Sequence, residues 1–169
     1  MNVIIKEITT IEPYLNELST LLIDVVDDGA SVGFLPPLQE NEATEYWTTV
    51  QNSTALLFLA FIENEVVGTV QLQLETKENG KHRAEIAKLM THPRFRRRGV
   101  GRLLMEAAER RARSEKRTLL VLDTRKGDPS NDLYTALAFK KVGEIPEYCL
   151  TADGHYEATV YYYKLINDK

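Results

Sequence analysis

Residues 89–102 read Leu-Met-Thr-His-Pro-Arg-Phe-Arg-Arg-Arg-Gly-Val-Gly-Arg, and the fold is decided in this stretch. Its first three residues close a run, 83–91, that reads as a strand stopped by Pro93. Beyond the turn, Val100, Leu103, Leu104, Ala107 and Ala108 recur at i, i+3, i+4, i+7 and i+8, with arginines and glutamates on the other face. That period predicts an amphipathic helix. The first N–H groups of a helix lack partners and carry partial positive charge, so they make an anion site. Gly99 and Gly101 remove side chains that would hold the backbone away from a bulky phosphate, while Arg96, Arg97, Arg98 and Arg102 add charge around it. Two glycines alone would also suit a tight turn in a solvated basic loop. Their place between a strand and the best amphipathic helix favours a pyrophosphate ligand. The turn has neither a P-loop lysine nor the glycine spacing of a dinucleotide fingerprint, which disfavours nucleotide hydrolysis and NAD binding.

Outward from this turn, residues 2–8 alternate as a strand, and Ile11, Leu15, Leu18, Leu21, Leu22 and Val25 predict an amphipathic helix over 12–28. The loop Gly29–Leu38 follows, its two prolines keeping a helix from crossing it. A second helix is expected over 39–52, then a hairpin of Ala55–Ile62 and Val66–Leu74 joined by Glu63–Asn64–Glu65. In the second of these strands Val70, Leu72 and Leu74 point one way and Thr69, Gln71 and Gln73 the other. Residues 118–122 form a strand ending at Asp123, and Asp128 and Pro129 open a helix ending near Phe139. Strands over 141–149 and 156–166 complete the order β-α-α-β-β-β-α-β-α-β-β, a three-layer mixed α/β domain spanning 1–169.

The bulk numbers narrow the function. Between Arg94 and Arg117 nine arginines and one lysine stand against three glutamates, a local +7 within a chain of net −4, so the remainder carries −11. One basic cluster in an acidic chain suits a single anionic ligand better than a nucleic-acid surface, which needs a broad basic stripe. The one cysteine, Cys149, has no partner for an internal disulfide and reads as a small buried hydrophobe. The N-terminus lacks a signal-peptide pattern, and the longest apolar run is far too short to span a bilayer. A cytoplasmic protein without membrane contact is the expectation. No histidine pair has metal-ligand spacing, so no metal is expected; His92, before Pro93, reads as structural.

Arg96-x-x-Gly99-x-Gly101 resembles the acetyl-CoA signature of the GNAT superfamily of N-acetyltransferases. Leu89–Pro93 resembles that family's CoA-contacting strand, and Tyr134 with Ala138–Phe139 resembles its second signature, normally a Tyr followed by Gly-Phe. Within the superfamily, GASVGF, RAEIAKLM, LDT, YTALAF and VGEIPEYC-x-x-x-DG are similar to tabtoxin-resistance acetyltransferases, over most of the length. The resemblance implies a mostly antiparallel central sheet flanked by helices on both faces. It also implies acetyl-CoA as co-substrate, without a metal. Main-chain groups of Leu89, Met90 and Thr91 would pair with the pantetheine arm, and backbone N–H groups from Arg97 through Gly99, Val100 and Gly101 to Arg102 would hold the pyrophosphate. Two positions depart from the pattern: Gly127 stands where many members have Asn, and Ala138 replaces Gly.

Acetyl transfer to an amine needs a base for the amine, a donor for the oxyanion and an acid for the departing thiolate. By resemblance Tyr134 is the acid, against a reading as a core aromatic. The N–H of Thr91 or Leu89 is the candidate oxyanion donor. Glu85, a carboxylate in a mostly small or apolar strand, and Asp123, at a strand end where α/β sheets collect ligands, are candidates to hold and deprotonate the amine. Their bland alternatives are pairing with Arg83 or a cross-strand partner, and capping the following turn. The expected acceptor is a small amino-acid-like or antibiotic amine attacking directly in a ternary complex. A protein N-terminus or lysine, or CoA sensing without turnover, are the alternatives. Pairing of two copies through the C-terminal strands would suit such a fold.

Overall fold

The computed structural model describes residues 1–167, so positions 168 and 169 of the expected domain lie outside the described residues. Seven strands, β1 (Val3–Ile8), β2 (Leu56–Ile62), β3 (Glu65–Leu74), β4 (Arg83–Thr91), β5 (Leu119–Arg125), β6 (Lys140–Leu150) and β7 (Tyr156–Leu165), form one sheet in the order β1-β2-β3-β4-β5-β7-β6. Every neighbouring pair is antiparallel except β4 and β5. Helices α1 (Leu15–Asp27) and α2 (Glu40–Gln51) cover one face, and α3 (Val100–Ser114) and α4 (Ser130–Ala136) the other. The expected α/β architecture and element order are those observed.

Two cores follow from this layering. Leu18, Leu21, Leu22, Val25, Trp47 and Leu59 fill the α1/α2 side, whereas Val70, Leu72, Leu104, Met105, Leu120 and Leu122 fill the α3 side. Because helices cover both faces, the alternation of β3 does not separate buried from exposed. Thr69 and Gln71 are buried, with Thr69 donating to the Phe58 carbonyl at 2.9 Å and the Gln71 amide to the Tyr46 hydroxyl at 2.9 Å. A buried polar side chain needs such a partner. The β2–β3 turn uses Glu63 and Asn64, both at positive φ, a conformation whose twist matches that of the flanking strands.

Several boundaries shift. The first helix is preceded by a 3-10 turn at Glu12–Tyr14. Strand β5 runs on to Arg125, because the antiparallel ladder with β7 holds Asp123, Thr124 and Arg125 opposite Tyr161, Val160 and Thr159. Asp123 therefore sits within a paired strand and not in a turn. Pro129, not Asp128, takes the cap position of α4, and that helix stops at Ala136 with Ala138 left-handed at φ 67°. Cys149 is only half-buried, since it lies on the edge strand β6. Among the described residues no helix is long and apolar enough to cross a membrane.

Candidate active site

The site begins with an irregularity in β4. Gln71 lies opposite Ala87 and Thr69 opposite Met90, so Lys88 and Leu89 together face Val70 alone. Lys88 takes up the extra residue at φ 56°. Such a bulge reverses which face each later side chain occupies. Ala84 and Ile86 pack in the α3 core, whereas Met90, of the same parity, packs among α1 and α2. Leu89 and Thr91 are thereby turned toward α3, where a Cβ on Gly101 would come 4.0 Å from Leu89 Cδ2 and 3.9 Å from Thr91 Oγ1.

The second irregularity is a parting of strands. Pairing between β4 and β5 covers only Arg83–Glu85 with Leu119–Val121. Beyond that point β4 remains laddered to β3, and β5 to β7. Among the described residues, the β5-side edge of β4 from Ala87 to Thr91 therefore has no strand beside it. Two further groups of residues flank the parting, one on each face of the sheet.

On the α3 face, Gly99 caps α3 with φ 81°, a left-handed conformation that favours glycine, and Arg97 precedes it at φ 60°. No side chain bonds back to cap α3, and no acidic residue stands in its first turn. Gly101 is needed for close packing, since a Cβ there would lie 3.2 Å from Leu133 Cδ2 of α4. Arg96 is committed to the protein: its guanidinium pairs with Asp28 and donates to the Thr91 carbonyl, which ties the turn to α1 and β4. Arg98 lies over the Phe95 ring. Arg97 and Arg102 are exposed, without an ion-pair partner among the described residues. Tyr134 on α4 is 5% exposed, packed against the rings of Phe139 and Tyr162. Burial foremost, then the charges of Asp123 and Asp128, hold its phenol well above the ordinary tyrosine range, so it stays protonated at any physiological pH.

On the α1/α2 face, Glu85 is the neighbour of Val121, and Asp123 follows two residues along the same face of β5. Thr159 donates to Asp123 Oδ2 at 2.7 Å, fixing that carboxylate. Partial desolvation and then the Asp123 charge raise the Glu85 carboxyl, with Arg83 and Lys88 opposing them. The Arg83 guanidinium itself goes to Glu75 at 3.1 Å, so Glu85 is not held by that pair. Glu85 also forms part of the wall of a cavity of about 410 Å³ shared with Gln73, Leu74, Arg83 and Val121. Tyr161 faces Asp123 across the ladder; a hydrogen bond with Tyr148 at 3.3 Å, then burial and the Asp123 charge, push its hydroxyl up to about 12.

The structure thus brings Glu85 and Asp123 together on one face and Leu89, Thr91, Gly99, Val100, Gly101, Arg102 and Tyr134 on the other. The Met90 side chain is core. Lys88, Arg125, Thr159 and Tyr161 were not foreseen. A lysine between two apolar strand residues reads as an exposed position unless the bulge is known, and Tyr161, the first of three consecutive tyrosines in β7, reads in sequence as sheet packing. His92 is structural as expected: its Nδ1 accepts from the Arg94 N–H, and Nε2 lies 2.9 Å from Asp24. Among the described residues no group of three His, Cys, Asp or Glu side chains is placed to hold a metal.

A mixed sheet parted between its fourth and fifth strands, with a glycine-capped helix opposite the bulged strand, defines the class. The chain belongs to the acetyltransferase (GNAT) family, whose model matches residues 16–139. It is similar in fold to an N-acetyltransferase from Staphylococcus aureus Mu50, with a TM-score of 0.83 at 15% identity over 99% of this chain and 100% of that one. A putative acetyltransferase from Salmonella typhimurium, solved with its cofactor acetyl-CoA, superposes with a TM-score of 0.79 at 13% identity, covering 99% and 95%. A ribosomal-protein-alanine N-acetyltransferase from Brucella melitensis does so with 0.79 at 19% identity, covering 96% and 99%.

Proposed function

We propose that the chain, as one domain over its length, transfers the acetyl group of acetyl-CoA to a primary amine of a small molecule, by direct attack in a ternary complex. The observation that carries this reading is the parting of β4 from β5, with Tyr134 on one face and the Glu85–Asp123 pair on the other. The residues present suit acetyl-CoA. The uncapped first turn of α3 offers N–H groups to a pyrophosphate, and the β5-side edge of β4 offers main-chain groups to an extended amide chain. Residues Arg97 to Arg102 would hold the pyrophosphate, and Leu89, Met90 and Thr91 the pantetheine arm. Bound there, acetyl-CoA supplies the activated acetyl thioester.

The protein's own groups do the rest. Two carboxylates on one face attract a cationic amine, and the raised carboxyl of Glu85 makes it a stronger base than an ordinary carboxylate. Asp123, fixed by Thr159, holds the amine in place. The N–H of Thr91 or Leu89 meets the developing oxyanion. Tyr134, kept protonated by burial, donates to the departing sulfur.

A small acceptor is supported by the loop over the α1/α2 face. Val32 and Leu38 are buried in the core beneath, and Phe34 stacks edge-on against Tyr46 at 5.3 Å. The similarity to tabtoxin-resistance enzymes in GASVGF and VGEIPEYC points toward amino-acid-like β-lactam amines as acceptors. The test is thiol release from acetyl-CoA against a panel of amines, amino acids and peptides. Turnover with small amines and none with peptides is the expected result; turnover confined to peptides would move the assignment to protein acetylation.

A further inference from the structure

We propose that Lys88 is a positioning residue that straps the Gly29–Leu38 loop across the acceptor side and so limits the acceptor to a small amine. The proposal rests on the transferase reading above and names what restricts its acceptor.

The geometry begins with the bulge. By absorbing the extra residue of β4, Lys88 leaves the regular alternation and sends its side chain to the loop, where Nζ donates to the Val32 carbonyl at 2.8 Å. The nitrogen lies close over Gly33, where a Cβ would sit 2.9 Å from it, and Gly33 itself is left-handed at φ 93°. A second cation holds the other end of the same segment. Arg125 of β5 donates to the Gly29 carbonyl at 2.8 Å while its guanidinium is steadied by Asp128 at 2.9 Å. One tie comes from each of the two strands that part, so the loop bridges the opening on the face that carries Glu85 and Asp123. A carbonyl acceptor for each cation is consistent with a built strap, because charge-assisted hydrogen bonds are the strong ones.

Lys88 also acts on the carboxylates. Its ammonium is lowered chiefly by desolvation and supported by Asp123 and Glu85. In return its charge opposes the upward push on Glu85, which Arg83 on the same strand shares. Asp123 on β5 and Tyr161 on β7 are the other titratable groups that couple to Glu85.

The test is Lys88→Met, which keeps length and removes both donor and charge. Loss of a hydrogen bond to a charged group predicts amide exchange across residues 30–34 faster by roughly ten- to a hundredfold. The acceptor KM should rise more than kcat falls, and bulkier amines should gain relative to small ones. The acidic limb of kcat/KM should move to higher pH, since Glu85 then holds its proton longer; Lys88→Arg, which keeps the charge, should return the limb to its wild-type position. Wild-type exchange across the loop in Lys88→Met would overturn the strap, and an unmoved limb would overturn the action on Glu85. Exchange is read without turnover, so a wild-type protein that transfers no acetyl group refutes the transfer reading while the strap is judged separately.

Discussion

Tyr134→Phe separates a packing residue from a chemical one with a single oxygen atom. The ring is 5% exposed between Phe139 and Tyr162, and phenylalanine fills the same space. Among the described residues no hydrogen bond reaches the hydroxyl, so its removal strands no partner. Deleting one half of a satisfied pair would cost about 1–3 kcal/mol; here the expected change in folding stability is within about 0.5 kcal/mol. Affinity for acetyl-CoA should also hold, because the hydroxyl matters as the sulfur leaves and not in the ground state. Turnover should fall about 10²–10⁴-fold, the usual range for a positioned general acid, or about 2.7–5.5 kcal/mol of barrier. The assay is thiol release at saturating acetyl-CoA beside thermal unfolding with and without CoA. Wild-type kcat in the Phe variant, with the stability and CoA response intact, would return Tyr134 to the core and place the acid elsewhere.

Gly99→Val forces a branched residue into φ 81°, and Gly101→Val meets Leu133, so each should abolish stabilisation by CoA, which is about 2.7 kcal/mol at hundredfold excess over Kd; an unchanged thermal shift in either would refute the phosphate site. Glu85→Gln and Asp123→Asn should each impair kcat/KM more than CoA affinity, with losses in the double variant that do not add; survival of both rate and acidic limb would dismiss the pair. Glu85 carries a raised carboxyl, so the unfolded chain gives up its proton first as pH rises past 4.5 and the fold loses stability over that window. Urea unfolding of Glu85→Gln should therefore show a protein at least as stable as wild type at neutral pH and no such loss. Ala138 is left-handed at φ 67° after α4, where glycine is the preferred residue. Ala138→Gly should stabilise the fold by about 1 kcal/mol, raising Tm by about 2–4 °C, and a lowered Tm would refute it.

Elements with a strong local period were legible in the chain. Val100, Leu103, Leu104, Ala107 and Ala108 specify α3 because each helical turn must return an apolar side chain to the sheet. The glycine turn before it was legible because a strand–glycine–helix junction has few conformations. The same local logic misplaced Asp123, since the end of β5 is set by the ladder to β7 and no turn residue announces it. Thr69 and Gln71 look like a solvent face in sequence, and only α1 and α2 lying over them make that face interior.

What the sequence by itself determined is the order of elements, the family signature around Arg96–Gly101, and the types of residue available for the chemistry. Which of those residues meet was decided in three dimensions. The bulge at Lys88 turns Leu89 and Thr91 toward α3 and sends the lysine to Val32, because one extra residue in a strand reverses every side chain after it. The short parallel pairing of β4 with β5 brings Glu85 and Asp123, 38 positions apart in the chain, to one face, just where the two strands begin to part. Pairing between distant strands is a property of the whole sheet: its register depends on both partners and on the helices that cover them, and no window of sequence contains all of these.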